Sequence, residues 1–482
     1  MSLKILFISA EVAPFAKVGG LADVAGSLPK ALRALGHDVR VVMPAYPRIE
    51  EQGRAGGLHF REGGMIVPMG GGGIPAGIFE GVLPGSDVPI YFVAQNQLIN
   101  RQNVYGYNDD PYRFAFFSRA AFEVANRLSW QFDVLHAHDW HTAPAVTWLA
   151  TAGQADGRYR GIPSVFTIHN LAHQGLTSWN VLDYLGVITH NLREEPYGAV
   201  NFMARGIYHA TLINTVSPTY GREIMTGEGG AGLNDLLRFR DGDVYGILNG
   251  VDYDVWNPQT DKNLARHFNA ATLDTRIENK RALQERLGLP QRDDVPLLSM
   301  VTRLDAQKGL QIVGHALHLL MNNAASEAQF VIVGTGASVY EDMFRHLGGY
   351  HRNKMRAVLA YAADLAPLVY GGSDMFLMPS LFEPCGLGQM IAMRYGNVPV
   401  VRATGGLADT VRDGVTGFVF NDFSVEAFWN ALRGAIYIYN MDQESWRAIQ
   451  HNGMTSDFSW RNSALGYQQL YERAIARMGG EI

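Results

Sequence analysis

Short apolar runs rich in β-branched residues, each too brief for a helix, recur along the chain in two series with longer segments of helical period between them. Strands that are apolar at almost every position are buried on both faces, and a parallel sheet covered by helices is the architecture that buries them. The first series covers 4–9, 38–43, 89–93, 133–137, 164–168 and 212–216, with helical segments at 21–35 and 112–128. The second, more regular, covers 297–302, 330–333, 357–361, 375–378, 398–401 and 417–420. The pattern predicts an α/β chain with two doubly wound domains, and 482 residues leave room for two large domains or about three. Between the series, 241–258 (DGDVYGILNGVDYDVWNP) gathers glycines and closes on a proline, which places a hinge near 247–252. The glycine run 70–73 reads as a surface turn or mobile loop. After Asp422 the chain reads as helical to its end, with Trp429, Trp446 and Trp460 available to pin that tail against a domain.

Composition narrows the function classes. Hydrophobic residues make up 47% and charged residues 18%, so the chain can bury a large core. A formal charge of −6 gives no electrostatic reason to expect nucleic acid or an anionic membrane as partner, so any phosphate must be held by a local site. One cysteine, Cys385, allows no internal disulfide and points to the cytoplasm. The run Lys4–Ile8 is read as a buried strand rather than the start of a signal peptide, because Glu11 interrupts it, and no run reaches the ~18 to 20 apolar residues a membrane span needs.

Ligands of open parallel sheets bind beyond the carboxyl ends of the strands, which directs attention to the residues after each predicted strand. After the first comes Lys17-Val18-Gly19-Gly20-Leu21-Ala22-Asp23. Two glycines admit a ligand to the backbone, a helix follows with unpaired N–H groups, and Lys17 adds a charge: an anion-binding loop, or an ordinary glycine turn that opens a helix. The run His136-Ala137-His138-Asp139-Trp140-His141 ends the fourth strand. Zinc is one reading, but the HExxH spacing is missing, and alternation puts His136 and His138 on one face with His141 already in the next turn. A hydrogen-bonding cluster for a polar, uncharged ligand suits these residues better. His169-Asn170 extends that ledge, unless His169 is a core histidine. In the second series Arg303 and Lys308 flank the end of the first strand, where two cations can grip a diphosphate or stand as solvated surface charges. Gly334-Thr335-Gly336 begins like GxGxxG, but Val339 replaces the third glycine and no P-loop lysine follows. The densest cluster is Glu383-Pro384-Cys385-Gly386-Leu387, followed after the next strand by Thr404-Gly405-Gly406-Leu407. A carboxylate beside a glycine-opened helix start makes a place for a sugar next to a phosphate. Cys385 has no base to activate it and reads as a small packing residue.

The segments KVGGLADV, HAHDWH, TIHN, VSPTY, LNGVD, TRLDAQKG, EPCGLGQ and TGGLADTV follow one another from Lys17 to Val411. In these, and over essentially its full length, the chain resembles bacterial glycogen synthases and plant starch synthases. The resemblance implies the GT-B fold: two Rossmann-like domains facing across a deep cleft, at 1–246 (acceptor side) and 247–456 (nucleotide sugar), with a C-terminal helix at 457–482 returning to the first. It implies a retaining glucosyltransferase that moves glucose from ADP-glucose to the non-reducing end of an α-1,4-glucan, with glycogen or a maltooligosaccharide as acceptor, no metal and no other cofactor. By position, it puts Glu383 at the transferred glucose and Arg303 and Lys308 on the diphosphate. Lys17 with Gly19 and Gly20 would complete the phosphate site, and Asp139, His169 and Asn170 would face glucose or acceptor. The amides of Thr404, Gly405 and Gly406 would meet the distal phosphate, and Tyr361 would stack on adenine. Asn249 of LNGVD and Cys385, Gly386 and Leu387 of EPCGLGQ join the substrate-binding set. Two departures from the family pattern stand out. Where the family often has a lysine before the VSP motif, this chain reads Asn201-Phe202-Met203-Ala204-Arg205-Gly206, and Arg205 is given no role; Tyr361 is followed by Ala362-Ala363 rather than a polar pair. The competing readings are a GT-B transferase using UDP-glucose or a small acceptor, and a non-catalytic glucan-binding protein on the same scaffold.

Overall fold

The apolar runs fold as strands, and the strands sort into two sheets built on one plan. The computed structural model describes residues 2–47, 49, 58–322 and 327–479. By its internal contacts the chain divides into one unit of Met1–Gly250 with Trp460–Ile482 and a second of Val251–Ser459.

In the first unit the strands are β1 (Lys4–Ile8), β2 (Asp38–Pro44), β3 (His59–Met69), β4 (Gly72–Val82), β5 (Pro89–Ala94), β6 (Val134–His138) and β7 (Ser164–Ile168). They are followed by β8 (Leu176–Ser178) and β9 (Ala199–Asn201), which form a separate antiparallel ribbon, then β10 (Leu212–Thr215) and β11 (Val244–Gly246). The main sheet runs β11-β10-β7-β6-β1-β2-β5-β4-β3. It is parallel from β11 to β5, and β4 and β3 pair antiparallel at its edge. The second unit holds β12 (Leu297–Val301), β13 (Gln329–Val333), β14 (Met355–Val358), β15 (Met375–Met378), β16 (Val398–Arg402) and β17 (Phe418–Phe420), all parallel in the order β14-β13-β12-β15-β16-β17. In each sheet the chain moves outward one way, returns to the middle and moves outward the other way. The reversal falls between β1 and β6 in the first unit and between β12 and β15 in the second. There the loops leave adjacent strands in opposite directions and open a crevice at the carboxyl ends.

Each unit has its own core. Phe7, Val41, Phe92 and Val134 of the first sheet pack with Leu28 and Leu32 of the helix Gly20–Ala34 and with Tyr467 and Tyr471 of the helix Trp460–Arg477. Met300, Phe330, Met375 and Val400 pack with Leu317 of the helix Leu310–Asn322 and Phe428 of the helix Val425–Met441. The helical tail is thus shared out: Trp429 and Trp446 pack in the second core and Trp460 in the first.

Three local expectations are corrected. The hairpin β3–β4 is absent from the sequence-based strands because its runs, HFREGGMIVPM and GGIPAGIFEGV, are broken by glycine and proline; residues 70 and 71 are its turn. The strand expected at 357–361 lies at Met355–Val358, which leaves Tyr361 in the loop beyond it. The changes of unit fall at 250/251 and 459/460 rather than 246/247 and 456/457. Gly250 lies so close to Trp460 that a side chain there would strike it, while Val251 N bonds Phe458 O at 2.7 Å, so the two crossings occur side by side.

Tyr471 shows what the returning helix contributes. Its hydroxyl bonds His136 Nδ1 at 2.8 Å inside the core, and His136 Nε2 bonds Thr167 Oγ1 at 2.8 Å. Tyr471→Phe strands a buried ring nitrogen and is expected to lower the free energy of unfolding in urea by about 1–3 kcal/mol. An unchanged midpoint and slope would show that the bond carries no stability.

Candidate active site

At the reversal of the first sheet, the loop after β1 meets the start of the helix that follows β6. Glu11 is buried, and its Oε2 accepts Val18 N at 2.5 Å and Gly19 N at 2.9 Å, while Oε1 accepts Tyr105 OH at 2.6 Å. Lys17 reaches the other way and pairs with Asp23 at 2.6 Å on the surface. The amide of Gly19 holds the chain's own carboxylate, Gly20 opens the helix Gly20–Ala34, and a side chain at either glycine would meet open space.

Asp139 is the first residue of the helix Asp139–Ala150 and takes a positive φ of 55° at the turn from β6. Its Oδ1 accepts His169 N at 2.7 Å and Asn170 N at 3.4 Å, which joins the loops after β6 and β7. Burial nevertheless outweighs these bonds and pushes the acid up to about 7. His138 Nδ1 and His169 Nε2 are 2.9 Å apart, and His141 stacks on Tyr105 at 4.5 Å. Burial lowers all of these imidazoles, His169 to about 3, so at neutral pH they are uncharged dipoles. The three histidines of HAHDWH therefore work as hydrogen-bonding and stacking groups. Buried ring nitrogens of His138 and His141, and Oδ1 of the buried Asn249, have no partner among the described residues. The carbonyl of the Asn170 side chain accepts Ala172 N at 3.1 Å.

At the reversal of the second sheet a buried carboxylate is held by an ammonium. Lys308 Nζ bonds Glu383 Oε2 at 2.7 Å, and Ser380 Oγ donates to the same oxygen at 3.0 Å. Glu383 is only 7% exposed. The loops after β12 and β15 are stitched together by Leu381 N to Gln307 O (2.8 Å) and Gln307 Nε2 to Phe382 O (3.1 Å). Arg303, with a side chain 66% exposed and 3.3 Å from Asp305, lines a cavity of about 630 Å³ at the ends of β12, β13 and β14. Tyr361 lines the same cavity, opposite the segment from Asp254 to Asn263, and is 83% exposed. Among the sequence-predicted residues of this unit, Arg303 and Tyr361 line one cavity and Lys308 pairs with Glu383.

Gly405 and Gly406 serve this packing. A side chain at Gly405, whose φ is +44°, would run into Glu383 O, and one at Gly406 into Cys385 O. Thr404 N donates to Arg402 O at 2.9 Å and Gly406 N to Glu383 O at 3.2 Å. Cys385 is buried, the carbonyls of Cys385 and Gly386 accept Gln389 Nε2 at 3.1 and 2.9 Å, and Leu387 precedes the helix Gly388–Arg394.

Two family models match the chain: the starch synthase catalytic domain over residues 4–239, and group 1 glycosyl transferases over residues 283–446. A glycogen synthase of Geotalea daltonii is 42% identical, with 99% of this chain and 100% of that protein aligned. One of Bacillus subtilis is also 42% identical, with all of both chains aligned. The chain belongs to the glycogen synthase family. The catalytic domain of starch synthase IV from Arabidopsis thaliana, solved with ADP and acarbose, superposes with a TM-score of 0.90 at 35% identity, covering 99% of this chain and 100% of that one. The chain is accordingly an enzyme of the GT-B fold, a glucosyltransferase of glycogen synthesis. Among the described residues, no helix is long and apolar enough to cross a membrane. Arg205 is fully buried and bonded by Glu195 (2.8 and 2.7 Å).

Sequence reasoning missed Glu11, Tyr105 and Ser380. Glu11 carried a signal, an acid just past the end of an otherwise apolar strand, but Tyr105 lies 94 residues away and only the fold brings it there.

The Asp139 acid has a measurable consequence. Its folded value of about 7 lies above the unfolded 3.8, so its contribution to stability is fully present below pH 3.8 and is lost as pH rises through 7. Asp139→Asn keeps an oxygen for the two amides and does not ionise. In urea titrations the variant should gain on the native protein between pH 4 and 8 by on the order of 4 kcal/mol, at about 1.4 kcal/mol per unit. A difference that does not move with pH would show that the acid is ordinary.

Proposed function

We propose that the enzyme transfers glucose from ADP-glucose to the non-reducing end of an α-1,4-glucan in the cytoplasm, with retention at the anomeric carbon. The observation that carries this reading is the Lys308–Glu383 pair at the reversal of the second sheet, beside a cavity that offers Arg303 for phosphate and Tyr361 for a base. Breaking the bond from glucose to phosphate leaves negative charge on the departing ADP and positive charge at the anomeric carbon. Arg303 and Lys308 stabilise the first, with Lys17 as a further phosphate ligand. Glu383 and the uncharged dipoles of His169 and Asn170 suit the second, since neutral imidazoles do not repel a developing cation. The acceptor hydroxyl attacks on the face the leaving group departs from and passes its proton to the departing phosphate oxygen, so no side chain has to act as base.

Arg303→Ala or Lys308→Ala should lower kcat by about 10²-fold, the order for losing one preorganised electrostatic partner. Glu383→Gln keeps shape and most hydrogen bonding and should impair turnover far more than ADP binding; equal losses in both would make Glu383 structural. A folded Arg303 variant with near-native kcat would remove that residue from the mechanism.

Donor choice is tested by kcat/KM for ADP-glucose and UDP-glucose with glycogen as acceptor. Stacking on Tyr361 is worth on the order of 1 kcal/mol, so Tyr361→Ala should narrow the preference for ADP-glucose by about fivefold. A native preference for UDP-glucose sinks the donor assignment, and an unchanged ratio in the variant clears Tyr361 of setting it.

A further inference from the structure

Glu11 is a buried carboxylate that the catalytic scheme does not use, and all three of its neighbours are donors. Its two oxygens take the amides of Val18 and Gly19 and the hydroxyl of Tyr105. Ser9 Oγ fixes the backbone beside it, donating to Glu11 O at 2.6 Å. An acid taken out of water is retained only where its surroundings satisfy it, and here what satisfies it is the backbone on either side of the Val18–Gly19 peptide, next to the exposed Lys17. Glu11 thus fixes the path of the loop at the residues after Lys17 and before the helix Gly20–Ala34, while Lys17 keeps its ammonium outside.

The bond to Tyr105 extends the constraint. Tyr105 stacks on His141 with the rings 20° from parallel, and His141 sits in the first turn of the helix that begins at Asp139. Burial, followed by the charge of Glu11, holds the Tyr105 hydroxyl far above its ordinary value, so it stays a donor. Packed side chains and hydrogen bonds run without a break from the Lys17 loop to the Asp139 ledge.

We infer that Glu11 is a positioning residue for the transfer: it sets the Lys17 loop through the amides of Val18 and Gly19 and, through Tyr105 and His141, ties that loop to the ledge of Asp139. The inference rests on the reading of Lys17 as a phosphate ligand. Both carboxylate oxygens of Glu11 are engaged by the chain's own donors, so removing it should act through what it holds.

The test is a double-mutant cycle on the full-length enzyme, with kcat measured on glycogen. Glu11→Ala should lower kcat by at least about 10-fold, and Glu11→Gln, whose amide oxygen still accepts both backbone N–H groups, should recover to within about 3-fold of native. In the Lys17→Ala background, Glu11→Ala should cost less than about 2-fold, because the group it positions is gone. If the alanine variant does not fold, Glu11→Asp, which withdraws the carboxylate by one methylene and keeps its charge, takes its place in the same cycle with the same expectation. A fully active Lys17→Ala enzyme would refute the phosphate role of Lys17 and remove the footing of the inference. If Lys17 matters but the losses multiply in the double variant, the inference about Glu11 fails and the role of Lys17 stands.

Discussion

A carboxylate withdrawn from water has to be given donors, and each unit of this chain is organised around one such group at the reversal of its sheet. In the second unit Glu383 is held by Lys308 and Ser380, and the loops that carry them are cross-linked through Gln307. Removing one partner of a buried ion pair costs about 3–5 kcal/mol because the other charge is left alone. Lys308 therefore anchors Glu383, and any substitution of it also unpairs that carboxylate. In the first unit Glu11 plays the corresponding part with amides and a phenol in place of an ammonium, which leaves Lys17 outside the buried network.

The contrast in charge follows from what each strand end offers. Around β12 and β15 the groups are cations and a carboxylate; around β6 and β7 they are imidazoles whose burial keeps them neutral. Separating a glucosyl group from a diphosphate needs both kinds of surroundings, strong fields for the anion and polar contacts without net charge for the sugar. The same topological device, a crevice at the carboxyl ends of parallel strands, carries these different groups because the loops beyond the strands differ while the sheets do not.

That division also explains what was legible in the sequence. Buried strands such as VLHAH and MFLM carry their environment in their composition, and the strand-end rule leads from them to Asp139 and Glu383. The hairpin β3–β4 was not legible, because edge strands that are partly exposed need no continuous apolar run and tolerate the glycines and prolines found there. Within the site, the sequence does not say which glycines stand against the chain itself. The glycines at 405 and 406 mark close approach of the Glu383–Cys385 segment, whereas a side chain at Gly19 would meet open space.

Asp139 combines two departures that a folded chain ordinarily avoids, a positive φ without glycine and a carboxyl buried deeply enough to raise its pKa. A residue held in a sparsely populated backbone region costs of order 1–3 kcal/mol and persists only where its surroundings over-determine it. Here the neighbours do so: Thr142 Oγ1 accepts His138 N at 2.5 Å and donates to His138 O at 2.8 Å, and Asp139 itself carries the amides of His169 and Asn170. Each bond ties the end of β6 to its own helix or to the loop after β7, so the strained turn cannot relax without releasing the ledge. The sheet stays regular up to His138, and the irregularity is confined to the one residue where strand gives way to helix, which holds a rigid, desolvated carboxyl at the crevice.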